Sequence, residues 1–197
     1  RHGDNLFAES IVALDAETGE RKWHFQAVHH GLWDYDFPCA PNLVDIVVDG
    51  KPIKALAQVS KQGFTYVFNR ETGEPVWPIE ERPVMETEVP GNYTAPTQPY
   101  PTLPEPLDPI ILSGITDEFL IDYTPEIRQM AYDVAVAGNH FAPLFNPPTN
   151  VGNPQGDGPA RICPGGGGGT NITGPTVADP VNGILFITSM SGCSYEF

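Results

Sequence analysis

The sequence predicts an all-β protein of the β-propeller class, on three observations. A strand–turn–strand unit recurs at a fixed spacing of about 50 residues, the period of a propeller blade. Gly (20) and Pro (22) are abundant, as suits strands and turns more than helices. Only one short stretch carries helical periodicity.

The repeat is read first at Ala13-Leu14-Asp15-Ala16-Glu17-Thr18-Gly19, closing at Trp23. It returns at Val67-Phe68-Asn69-Arg70-Glu71-Thr72-Gly73, closing at Trp77, so that every matching position is shifted by 54. Ser10 to Leu14 is mostly β-branched and apolar, and Lys22 to Gln26 alternates, so each copy reads as strand, tight turn, strand. Gly19 and Gly73 supply the positive φ of the hairpin. Asp15 and Asn69 are residues that bond a turn backbone through the side chain. Trp23 and Trp77 are large, flat and mostly apolar, suited to packing between neighbouring sheets. A third echo, Ala178-Asp179-Pro180-Val181-Asn182-Gly183, precedes the strand Ile184 to Ser189 and lacks the Trp.

Between the two copies lie strands at Leu43 to Val48 and Ile53 to Ser60, joined by Asp49-Gly50-Lys51, so residues 1–82 read as about two blades. Eight prolines between Pro83 and Pro109 then predict an excursion over residues 83–123 without ladder bonding, because proline removes amide donors. Tyr93, Tyr100, Leu103 and Leu107 are its apolar anchors. A helix is expected over residues 124–138. Thr124 is its N-cap, Pro125 takes the first helical position, Glu126 favours the positive dipole end, and Gly138 ends it. Ile127, Met130, Ala131 and Val134 fall on one face. A Gly/Pro-rich loop over residues 139–175 contains five consecutive glycines, Gly165 to Gly169, and residues 176–197 open a further blade.

A net charge of −15, from 25 acidic and 10 basic residues, argues against nucleic acid or an anionic membrane surface as partner. Cys39, Cys163 and Cys193 form no Cys-x-x-Cys pair, so a zinc site is not expected. An odd count leaves one thiol unpaired within the chain. Cys163 and Cys193, both in Gly-containing turns, are candidates to bridge. No stretch is apolar enough to span a membrane and no leader is visible. The opening Arg1-His2-Gly3-Asp4-Asn5 reads as interior sequence, so an incomplete or processed chain is expected.

Chemistry-bearing residues concentrate at His29-His30-Gly31-Leu32-Trp33-Asp34-Tyr35-Asp36. If this run is extended, Asp34 and Asp36 share a face. The spacing is not a metal signature, and the bland alternative is a loop whose His and Asp side chains bond backbone. A second site is Ser60-Lys61-Gln62-Gly63, at the end of an apolar strand. A lysine there is either a solvated turn residue or a cation able to stabilise an anionic oxygen.

The repeat Ala13 to Trp23 resembles the tryptophan-docking motif of dehydrogenases that use pyrroloquinoline quinone (PQQ). The run Trp23-His24-Phe25-Gln26-Ala27-Val28-His29-His30-Gly31-Leu32-Trp33-Asp34 resembles their glucose, quinate and shikimate dehydrogenase branch. So do the Pro-rich excursion, Ile121 to Glu126 and Phe141 to Phe145. The resemblance runs from about Gly3 to Ser189 and covers only part of such a protein.

It implies part of an eight-bladed quinoprotein propeller that oxidises a sugar or polyol, with Asp34 as general base. Lys61, 27 positions on, would contact the quinone carbonyl oxygens; alcohol-oxidising relatives tend to carry Arg there. His29 and His30 would orient Asp34 or touch substrate, and Asp36 reads as structural. Where the family has an Asn-Trp pair near the quinone, this chain has Asn171-Ile172, so Asn171 is a cofactor contact without its aromatic neighbour. The resemblance further implies a Ca2+ or Mg2+ ion whose ligands lie upstream of Arg1, so this segment alone is expected to be inactive. It also implies a quinone or cytochrome as electron acceptor, and a periplasmic location with an inner-membrane anchor as an option. A non-catalytic propeller scaffold of the cell envelope is the rival reading, and the pairing of Asp34 with Lys61 separates the two. A flavin or nicotinamide enzyme is set aside, since the glycine run follows no strand and opens no helix.

Overall fold

The computed structural model describes residues 2–108, 114–137, 140–141, 143–150, 160–166, 168–169, 176–190 and 192–196. The chain forms strands β1 (Ser10–Leu14), β2 (Arg21–Gln26), β3 (Asn42–Val48), β4 (Lys51–Val59), β5 (Thr65–Asn69), β6 (Ile79–Pro83) and β7 (Thr97–Pro101). After a 3-10 turn (Asp117–Phe119) come helix α1 (Pro125–Ala137) and strands β8 (Ala160–Ile162), β9 (Val177–Asp179), β10 (Ile184–Phe186) and β11 (Ser194–Glu196). All pairings between these strands are antiparallel: β1–β2, β3–β4–β5, β6–β7, β8–β11 and β9–β10.

The three copies of the turn share one construction. Asp15 Oδ1 accepts from the amides of Glu17 and Thr18 (3.1 and 3.0 Å). Asn69 Oδ1 accepts from Glu71 and Thr72 (2.9 and 3.4 Å), and Asp179 Oδ1 from Val181 and Asn182 (2.9 and 3.2 Å). In each, the glycine four residues on sits at positive φ (Gly19 72°, Gly73 78°, Gly183 68°) and donates to the carbonyl of the Asp or Asn. The side chain satisfies amides that the reversal takes out of the ladder.

The middle sheet, β3–β4–β5, is covered on both faces by unlike layers, as period-two alternation requires. Leu56, Tyr66 and Phe68 face the main core with Ala27, Val28, Trp33, Tyr35, Phe64, Tyr100, Leu144 and Phe145. Ala55, Ala57 and Val67 face the other way, against Val44, Ile46, Trp77 and Leu185. Trp23, on β2, packs across to the second repeat: its Nε1 donates to the Arg70 carbonyl (3.1 Å), and its ring lies 5.9 Å from that of Phe68. A Cβ placed on Gly73 would stand 2.6 Å from Trp23 Cγ, so that glycine is needed for room as well as for φ.

The blade is shorter than four full strands. Beyond β5 the chain makes only the single bridge Phe68↔Pro75, flanked by Asn69 N→Glu74 O and Val76 N→Val67 O. In the first repeat the matching positions are Arg21 and His24, and β2 runs for six residues. In the second they are Pro75 and Pro78, whose missing donors stop the strand.

The excursion after Pro83 departs from expectation in the opposite sense, because β7 ladders with β6. Its register alternates, with Thr102 N→Pro78 O and Val84 N→Pro96 O marking the hydrogen-bonded pairs. Pro99 and Pro101 take the intervening positions, where an N–H would point away from the partner strand. Proline spacing, not proline content, decides whether such a segment can pair.

Helix α1 begins at the expected cap, with Thr124 Oγ1 accepting from the Ile127 amide (3.3 Å). Its inward stripe is Ile127, Ala131 and Ala135, of which only Ala135 is fully buried. Met130 (68%) and Val134 (63%) are exposed, so the apolar face is rotated from the one the sequence suggested. The expected end at Gly138 lies outside the described residues. Cys163 and Cys193 form a disulfide, and Cys39 is in none. No helix among the described residues is long and apolar enough to cross a membrane.

Two glycine variants separate conformation from packing. Gly19→Ala meets no atom within 4 Å and pays only for positive φ, about 1–2 kcal/mol. Gly73→Ala should cost roughly 1–3 kcal/mol more, because Trp23 must move. Urea midpoints of the two variants are the measurement, and equal losses would show that the Trp23 contact contributes nothing.

Candidate active site: two carboxylates on a buried lysine

The site forms where the loop after β2 meets the turn between β4 and β5. In the loop, Trp33 (1% exposed) and Tyr35 (0%) point inward, their rings stacked at 6.4 Å and each edge-on to Phe145. Trp33 Nε1 donates to the Asn146 carbonyl (2.6 Å), and the Tyr35 hydroxyl donates to the Pro164 carbonyl (2.5 Å). With the two aromatics anchored, Asp34 and Asp36 turn to the other side. The segment is not a regular strand: Asp34 sits at φ +59°, a conformation that Asp tolerates better than most residues.

Lys61 lies in the tight turn closed by Gly63 N→Ser60 O and Ser60 N→Phe64 O (2.9 and 3.0 Å). Gly63 takes the positive φ (83°) that the reversal needs. The Lys61 side chain is only 7% exposed, and its Nζ stands 2.9 Å from Asp34 Oδ2 and 2.5 Å from Asp36 Oδ1. Burial disfavours the charged ammonium, but hydrogen bonds to Asp36 and Asp34 outweigh it and hold the lysine above its ordinary pKa. Asp34 remains 74% exposed, so the ammonium is sheltered while one carboxylate faces outward.

Asp34 and Lys61, expected to meet, are thus in direct contact. Asp36, read as structural, is a full partner of the lysine; its signal was parity with Asp34 across a buried aromatic. The hydrogen bonds of the two histidines run elsewhere. His29 engages Gln26 Oε1 and Glu81 Oε1, both at 3.1 Å, and its backbone is gripped by the Gln98 amide. His30 is buried, with Nδ1 against Gly3 O and Asn5 Nδ2. Both fix the loop from behind, and no hydrogen bond joins either ring to Asp34 among the described residues. Asn171 lies outside the described residues. Sequence reading also missed Gln62, fully buried, whose amide has no hydrogen-bond partner among the described residues. No cluster of three or more His, Cys, Asp or Glu side chains among the described residues could hold a metal ion.

Sheets stacked face to face, with an acid–lysine cluster on the loops between them, define a segment of a β-propeller with a built polar site. The family of PQQ-dependent glucose/ethanol/alcohol dehydrogenases, in its β-propeller domain, matches residues 1–195, and the chain belongs to that family. It is 43% identical over 97 residues, 49% of its length, to the quinoprotein glucose dehydrogenase of Escherichia coli (strain K12). Over 149 residues, 75% of its length, it is 37% identical to the quinoprotein glucose dehydrogenase of Gluconobacter oxydans (strain 621H). It is 33% identical over 184 residues, 92% of its length, to the glycerol dehydrogenase large subunit of the same organism. These matches span 12%, 18% and 23% of the respective relatives.

The linkage of Lys61 has a definite sign. Because its folded pKa is raised, its contribution to stability is fully present below the unfolded value near 10.5 and is lost as pH rises through the folded value. The stability gap between the parent and Lys61→Met should be constant up to about pH 10 and narrow above it. Urea denaturation across that range measures the gap, and a gap that widens there would contradict the assignment.

Proposed function

We propose that the complete protein oxidises an alcohol group of a sugar or polyol with PQQ, Asp34 acting as general base and Lys61 contacting the quinone carbonyl oxygens. The observation that carries this reading is the 2.9 Å contact between Lys61 Nζ and Asp34 Oδ2, made by residues 27 positions apart. A scaffold has no use for a nearly buried ammonium shared by two acids.

The residues present suit an ortho-quinone. An ammonium has three donors. Asp34 and Asp36 account for two, which leaves one for a carbonyl oxygen. When bound, the quinone supplies the two-electron oxidant that takes hydride from the carbinol carbon. Asp34, exposed on its outer side, accepts the hydroxyl proton as that bond breaks. Lys61, shielded from water, stabilises negative charge developing on oxygen more strongly than a solvated lysine would. Asp36 keeps the lysine in place when Asp34 turns to substrate, and His29 and His30 orient the loop. Among the described residues, no group of three or more His, Cys, Asp or Glu side chains is placed to hold a calcium or magnesium ion.

The relatives include glucose and glycerol dehydrogenases, which supports a sugar or polyol as substrate. A quinone or cytochrome would take the electrons onward. The Cys163–Cys193 disulfide suits an oxidising compartment such as the periplasm.

In the complete protein, Asp34→Asn should lower kcat by about 10²–10⁴-fold while the bound quinone's absorbance is retained. Lys61→Met should weaken quinone retention as well as turnover. Dye reduction with glucose and with polyols measures turnover, and the absorbance of the bound quinone measures its retention. Full activity in Asp34→Asn removes the base assignment, and no dye reduction by the reconstituted parent removes the enzymatic reading.

A further inference from the structure

Pro164 and Gly169 have no part in the chemistry proposed above, yet they lie against both halves of the site. The Gly169 amide donates to the Lys61 carbonyl (2.7 Å). The Pro164 carbonyl accepts from Tyr35, the residue between the two carboxylates. The loop is itself closed. Cys163 is joined to Cys193, the Gly165 amide donates to Gly192 O (2.8 Å), and the Met190 amide donates to Gly169 O (2.7 Å). Side chains are excluded by contact: a Cβ on Gly169 would stand 2.8 Å from Pro164 Cγ, and one on Gly165 2.6 Å from the Ser194 amide nitrogen. Glycine lets this backbone come close enough to hold another backbone.

We propose that the glycine loop closed by Cys163–Cys193 is a positioning element that sets the distance between Asp34 and Lys61, acting through the Tyr35 hydroxyl on one side and the Lys61 carbonyl on the other. The proposal rests on the reading of Asp34 and Lys61 as the reacting pair. The carboxylates and the lysine arrive on separate chain segments and meet through their side chains, at Lys61 Nζ. The loop grips both segments from behind, through a buried phenol and a backbone amide. Tyr35 and Gly169 are therefore positioning residues, and neither touches substrate.

The test uses the complete protein and two readouts. The first is the rate at which Lys61 is acylated by an amine-selective reagent in quinone-free protein, read by peptide mass spectrometry; the second is kcat and KM. Tyr35→Phe removes one hydroxyl and nothing else. It should raise Lys61 acylation several-fold and lower kcat about tenfold or more, with KM little changed. Cys163→Ser/Cys193→Ser should do the same. Should that double variant fail to fold, Tyr35→Phe still decides. Tyr66→Phe is the control: its hydroxyl is equally buried and donates to a backbone carbonyl, that of Pro99 (3.1 Å), on β7 rather than on the loop. It should leave Lys61 acylation at the parent rate. Unchanged acylation and kcat in Tyr35→Phe, or equal effects in Tyr66→Phe, would overturn the proposal. The acylation readout stands even if Asp34→Asn stays active, so failure of the positioning role and failure of the reaction assignment are distinguishable.

Discussion

An ammonium almost withdrawn from water needs opposite charge within hydrogen-bond reach, and this constraint organises the site. Lys61 meets it with two acids, at 2.5 and 2.9 Å. One acid alone would suffice for neutrality, but it would then be committed to the lysine. With two, Asp36 holds the charge while Asp34 keeps an outward face. The segment Trp33 to Asp36 satisfies this by alternation: aromatics go into the core, and the acids are carried out together on the opposite side. The unusual φ of Asp34 is a local cost of bringing both carboxylates onto one nitrogen.

The scaffold beneath obeys a second constraint, that each sheet must find a partner for each face. The recurrent turn solves this locally, since one Asp or Asn and one Gly make the reversal. Trp23 then reaches the next repeat, where Gly73 leaves room for its ring and the Arg70 carbonyl receives its N–H. Packing and hydrogen bonding thus fall on the same few residues, which ties turn geometry to sheet spacing.

Much of this was legible in the sequence because it rests on residue types with narrow conformational roles. Asp15, Asn69 and Asp179, each followed by Gly four residues later, announce the turn, and Thr124-Pro125 announces the helix start. The pairing of Asp34 with Lys61 was legible by resemblance, since nothing in their spacing alone brings them together. The β6–β7 ladder was hidden because proline content masks proline parity. The inward stripe of α1 was misjudged because small alanines, not Met130 and Val134, make the contact. Asp36 carried a visible signal, parity with Asp34, but parity does not say what lies opposite. The grip of the 163–169 loop left no signature, because its acceptors and donors are backbone groups that every residue carries.

The unlike faces of the middle sheet, aromatic on one side and small-residue on the other, have a consequence of their own. A slab whose two sides differ has a direction, and copies of it can stack only head to tail. Such a stack does not terminate itself, because the last member always offers the side that the first one lacks. The one arrangement with no raw end is a stack that curves until its last slab meets its first.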